Sequence, residues 1–108
     1  MSSYQDRIEA RKSSIHGRGL YALRRFRRGA HIGTFEGVET QRDGTHVLWL
    51  TDEHGNETGV EGRNDLRFLN HASRPNAEFR GLELHALANI QPEQEITIHY
   101  GEAWDDLD

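Results

Sequence analysis

The chain has 108 residues, 13 Lys and Arg against 18 Asp and Glu, a formal charge of −5 and no Cys. That length accommodates one domain, taken as residues 1–108, and the lack of Cys excludes a disulfide scaffold and every thiolate zinc site. No apolar run approaches the roughly 18 residues of a membrane span, so the expectation is a soluble, cytoplasmic protein.

Leu, Ile, Val and Phe number 23, about a fifth of the chain, enough for a small core only. The charge is uneven: residues 1–28 carry 8 basic and 2 acidic side chains, whereas residues 29–108 carry 5 basic and 16 acidic. The acidic remainder suits cationic partners and disfavours nucleic acid.

In chain order, "RIEARKSS" (residues 7–14) predicts a short polar strand or lead-in, and "IHGRGLYAL" places Gly17 and Gly19 at a turn with unusual backbone demands. "LRRFRRGAH" gathers Arg24, Arg25, Arg27 and Arg28 around Phe26 and predicts a solvated basic turn. "AHIGTFEG" and "THVLWLTD" predict two strands joined near Asp43-Gly44, a dipeptide suited to φ > 0 hairpin turns. A second turn falls at His54-Gly55-Asn56. "NDLRFLNHASRPN" then begins with an Asn or Asp able to cap one helical turn before Pro75 stops it. Alternation through Leu82, Leu84, Ala86, Ala88 and Ile90, and again through Ile96, Ile98 and Tyr100, predicts two strands around a Gln91-Pro92 turn. Many short strands with Gly-rich turns predict a mostly β domain.

Local chemistry taken alone is sparse. The seven His stand at 16, 31, 46, 54, 71, 85 and 99, with no pair three to five apart, so no metal site is expected. The carboxylate pairs Glu93 with Glu95 and Glu36 with Glu39 flank turns or strand ends, where charge is ordinarily solvated.

Three segments in order change this reading: "HGRGLYA", "RFLNHASRPNA" and "EITIHYG". Together they resemble the SET-domain protein lysine methyltransferases, whose segments run approximately x-G-x-G-L-[FY]-A, R-F-x-N-H-[SG]-C-x-P-N and E-[IL]-T-x-x-Y-G. The matches span residues 15 to 104, and the Cys-free chain is most similar to minimal single-domain members from viruses and bacteria.

The resemblance implies a compact SET-type fold of several small, short-stranded sheets with a C-terminal pseudoknot-like segment. It also implies transfer of methyl from S-adenosylmethionine to a lysine amine of a basic, histone-like protein, releasing S-adenosylhomocysteine. By motif, Gly17, Arg18 and Gly19 would lie against the cofactor, where a Cβ at either glycine should clash. Asn70 and His71 would form the second wall, the Asn side chain holding the methionine amine, with Pro75-Asn76 closing the loop. Tyr100 matches the catalytic Tyr, Trp104 the aromatic against adenine, and Phe35 and Phe79 the lysine channel. Ala72, Ser73, Phe35 and His99 depart from the pattern, which bears more on substrate choice than on cofactor binding. The resemblance further implies a homodimer. Two other readings stand beside it: a degenerate SET-like domain that binds without turnover, and a β-rich interaction module using Arg24 to Arg28 against acidic partners.

Overall fold

A computed structural model describes residues 7–100. Ten short strands form three small sheets. The first sheet runs β1 (Ile8–Lys12), β2 (Arg18–Ala22), β10 (Glu95–Ile98), β7 (Asn70–His71). The second runs β3 (His31–Thr34), β9 (Glu83–Ala86), β8 (Ala77–Arg80), and the third β4 (Gly37–Thr40), β6 (Glu57–Gly62), β5 (Val47–Thr51). Among the described residues the one helical element is a four-residue 3₁₀ turn, Asp65–Phe68. The mostly β expectation and the several small sheets are therefore found, and no helix of the described part is long and apolar enough to cross a membrane.

The core forms where the inward residues of the first two sheets meet: Leu20 of β2, Ile32 of β3, Leu84 of β9, Ile90 and Ile96 are fully buried, together with Leu66 of the 3₁₀ turn. Period-2 alternation drives this, since successive strand residues face opposite sides. Strand β10 breaks the alternation, burying both Ile96 and Thr97, because the segment at Asn76 packs over Thr97. Thr97 meets its polar needs locally, its hydroxyl accepting from Asn76 N at 3.3 Å.

Two local expectations are corrected. No hairpin forms at Asp43-Gly44, because β4 and β5 flank β6 on opposite sides instead of pairing. Gly44 is not among the positive-φ glycines, and Asp43 accepts from Gly44 N at 2.9 Å and Trp49 Nε1 at 3.0 Å. The hairpin of this sheet lies between β5 and β6, where Gly55 has φ +82° and Asp52 Oδ1 accepts from His54 N and Asn56 N. Asn64 occupies the cap position of the 3₁₀ turn without a side-chain cap bond. It instead staples two loops, donating to Thr34 O at 2.7 Å and accepting from Glu36 N. The two strands expected around Gln91-Pro92 are found, β9 in the second sheet and β10 in the first.

Gly37 and Gly62 face each other across β4 and β6. A Cβ on Gly37 would stand 2.0 Å from the carbonyl oxygen of Glu61, a backbone atom that cannot swing aside. Gly37→Ala should therefore destabilise the domain by about 1–3 kcal/mol, seen as a lower thermal midpoint; an unchanged midpoint would show that β4 shifts freely.

Candidate functional site

The three motif segments converge on the first sheet. Strand β10 carries the link: Glu95 and Ile96 pair antiparallel with Tyr21 and Leu20 of β2, while Thr97 and Ile98 pair parallel with Asn70 and His71 of β7. Parallel pairing of two segments about 25 residues apart requires a crossover, and the intervening chain through β8 and β9 supplies it.

At the centre sits the carboxylate of Glu95. It accepts from Ser13 Oγ at 2.8 Å, Tyr21 Oη at 3.1 Å and Asn70 Nδ2 at 2.9 Å. Asn70 is buried, and the same amide nitrogen lies 3.1 Å from His16 O and 2.9 Å from Arg18 O. One side chain thus ties the Gly17 loop, β2 and β10 together.

The loop before β2 is closed by Ser13 N donating to Gly17 O at 2.7 Å. Gly17 has φ +46°, a left-handed conformation that favours glycine. Gly19 is buried, and a Cβ there would meet Glu95 Oε2 at 2.3 Å.

Beside this hub lies a cationic and aromatic surface. The guanidinium of Arg67 lies 4.2 Å from the Phe68 ring centre and that of Arg18 lies 5.2 Å from it, while His46 packs edge-on at 5.7 Å. His46 Nδ1 donates to Arg67 O at 2.9 Å, and His46 and Arg67 form part of the wall of a cleft of about 500 Å³ with Glu61, Gly62 and Arg63. That volume is within the range of small-molecule sites.

On the other side of Asn70, His71 is buried and its Nδ1 accepts from Tyr100 N at 3.0 Å, which places the proton of a neutral ring on Nε2. The His71 ring meets those of His99 and Tyr100 at 4.7 and 5.4 Å. The Tyr100 hydroxyl donates to Leu69 O. Burial, and secondarily the negative charge of Glu95, push its pKa up, so the phenol stays protonated at neutral pH.

The chain matches the family model described as SET domain over residues 17–101. It belongs to the SET-domain family. This SET domain superposes on the methyltransferase domain of human histone-lysine N-methyltransferase SETMAR with a TM-score of 0.77 at 26% identity, covering 95% of this chain and 47% of that one. It also superposes on a histone methyltransferase candidate of Plasmodium falciparum (TM-score 0.70, 23% identity, 93% and 97% covered). A third match is the methyltransferase domain of human PR domain-containing protein 2 (TM-score 0.71, 16% identity, 93% and 81% covered); these last two show the fold alone. Among curated proteins no relative matches.

Within this SET domain, Gly17, Arg18, Gly19, Asn70, His71 and Tyr100 are brought together. A Cβ at Gly17 would meet no protein atom within 4 Å, and its φ of +46° is the conformational reason for glycine there. The Asn70 amide nitrogen donates to two backbone carbonyls and to Glu95. Phe35 is packed into the core at 4% exposure, edge-to-face with Phe79 at 5.7 Å. Trp104 and the C-terminal pseudoknot-like segment lie outside the described residues.

Glu95 was the residue the sequence concealed. A carboxylate at a strand end after a turn looks solvated, and only the pairing of β10 with both β2 and β7 turns it inward. Asn76 was legible as part of a loop, but its amide works as a mock strand, donating to Glu95 O at 2.8 Å and accepting from Thr97 N at 2.8 Å.

Proposed function

We propose that this SET domain is an S-adenosylmethionine-dependent protein-lysine N-methyltransferase acting on a lysine within a basic segment of a protein. The observation that carries the reading is the joining of residues 17–19, 70–71 and 100 around one sheet through Asn70, Glu95 and His71. The residues fit the cofactor: the Gly17 backbone is open on the side a Cβ would take, and the arginine-flanked Phe68 face adjoins a cleft of suitable size. When bound, the cofactor supplies a methyl group activated on a sulfonium.

The protein's own part is alignment and desolvation. In-line displacement at a methyl carbon needs little acid or base help once nucleophile and leaving atom are held in line. The attacking lysine must be neutral, which at pH 7 costs about 4.6 kcal/mol from its reference pKa near 10.4, and an apolar surround lowers that cost. Phe79, half-buried against Phe35, is assigned to that surround. The protonated Tyr100 hydroxyl, fixed on Leu69 O, acts as an oriented dipole and not as a base. The acidic balance of residues 29–108 steers a cationic substrate.

Calorimetric titration with S-adenosylmethionine and S-adenosylhomocysteine tests this reading on wild type and Asn70→Ala. Wild type should bind both, and Asn70→Ala should lose at least about tenfold in affinity, or about 1.4 kcal/mol. Radiolabelled methyl transfer to a basic protein should follow. No binding by the wild type would overturn the reading, and binding without transfer to any basic protein would favour a domain that binds without turnover.

A further inference from the structure

We infer that the arginine turn between β2 and β3 is a docking surface for the phosphate backbone of nucleic acid. Residues 24–28 form a basic turn pinned on both sides. Phe26 is buried at 4% and bridges Ile90 through hydrogen bonds of 2.9 and 2.8 Å, Arg28 N donates to Asn89 Oδ1 at 2.9 Å, and Gly29 N donates to Ala86 O at 2.8 Å. With Phe26 anchored inward, Arg24, Arg25, Arg27 and Arg28 are all exposed.

Their guanidiniums have no hydrogen-bond or carboxylate partner among the described residues, in contrast to Arg11, Arg63 and Arg80, each paired with a glutamate. Glu93, whose N–H donates to Ala22 O at the end of β2, and Glu83, opposite Thr34 of β3, are already engaged by Arg11 and His31. Four guanidiniums on five consecutive residues, none paired with a carboxylate among the described residues, form a local feature that the net charge of −5 hides. The expectation that nucleic acid is disfavoured came from that sum, which averages over the basic turn.

The partner follows from the chemistry of the patch. Guanidinium forks match phosphate oxygens bidentately. The turn offers no apolar anchor, since its one aromatic ring is spent on the core, and charged residues are depleted from the centres of protein interfaces. A surface of charge alone suits a polyanionic backbone read without base contacts. The turn follows the end of β2, three residues after the Tyr21 that reaches Glu95, and none of its four arginines takes part in the hub, so docking does not require the methyltransferase reading.

Fluorescence anisotropy with a labelled DNA duplex of about 20 base pairs tests it on the full chain. Four phosphate contacts predict micromolar binding at about 50 mM salt that weakens roughly a hundredfold by about 200 mM. The quadruple variant R24Q/R25Q/R27Q/R28Q should lose at least about tenfold and flatten the salt dependence, and R24Q/R25Q and R27Q/R28Q should each lose part of it. These side chains are exposed, so the thermal midpoint should hold, which separates lost docking from lost folding. The inference is overturned if wild type does not bind at low salt, if the quadruple variant binds equally well, or if polyglutamate or phosphatidylserine vesicles bind more tightly than the duplex.

Discussion

Glu95→Ala is expected to abolish cofactor binding and to lower the thermal midpoint by roughly 5–15 °C. The variant removes the common acceptor of Ser13, Tyr21 and Asn70. Asn70 is 7% exposed, so its amide would keep its two backbone carbonyls yet lose the carboxylate that fixes β10 against β2. Leaving buried donors without their acceptor costs about 1–3 kcal/mol, and each kcal/mol moves the midpoint of a domain this size by about 4–8 °C. Glu95→Gln keeps the shape but turns an amide donor toward some of the same donors, so an intermediate loss is expected.

Gly19→Ala attacks the same contact from the other side, because its Cβ would stand 2.3 Å from Glu95 Oε2. The two changes should be less than additive when combined, since either alone displaces the carboxylate. Calorimetric titration and melting curves on the two single variants and the double variant check this. Full additivity, or a Glu95→Ala protein that melts and binds like wild type, would mean that Glu95 does not hold the site together.

Tyr100→Phe should cut methyl transfer by about 10²–10³-fold while leaving S-adenosylmethionine affinity within about twofold. The phenol is held by its bond to Leu69 O, and its backbone N–H is held by His71 Nδ1, so the hydroxyl is oriented before anything binds. A preoriented dipole acts where charge redistributes in the transition state and does little for the ground state, which is why the rate should move and the binding should not. Single-turnover transfer at saturating cofactor, paired with calorimetry, separates the two. An unchanged rate, or an affinity that falls in step with the rate, would remove Tyr100 from the chemistry.

The same residue has a pH signature. Its folded pKa lies above the unfolded value near 10, so the neutral phenol stabilises the fold below about pH 10, and that contribution is lost as pH rises through the raised value. Tyr100→Phe should flatten this alkaline limb of the melting curve.

How much of the fold and of the site is legible in the amino-acid sequence depends on the range of the interaction. Alternation in "ELHA" and "EITI" located β9 and β10 because period 2 is a property of a single strand. The Asp43-Gly44 turn failed as a hairpin for the complementary reason: a dipeptide states what its backbone favours locally, whereas the neighbour of β4 was decided by which strand could pair with both β4 and β5. Gly19 was read as a close-approach glycine without its neighbour, and the neighbour is a carboxylate 76 positions later in the chain.

The sequence by itself determined the mostly β character, the turn at residues 24–28 and the three motif segments, all of which depend on composition, order and short spacing. Only the tertiary structure decided which strands share a sheet, that Glu95 and not solvent holds Asn70, and that Asn64 and Asn76 staple loops. It also decided that four arginines would stand together without acidic partners among the described residues. The physical reason is the same in each case: a side chain's hydrogen-bond partners and the charge around it are set by residues distant in sequence, and only the folded chain brings them within 3 Å.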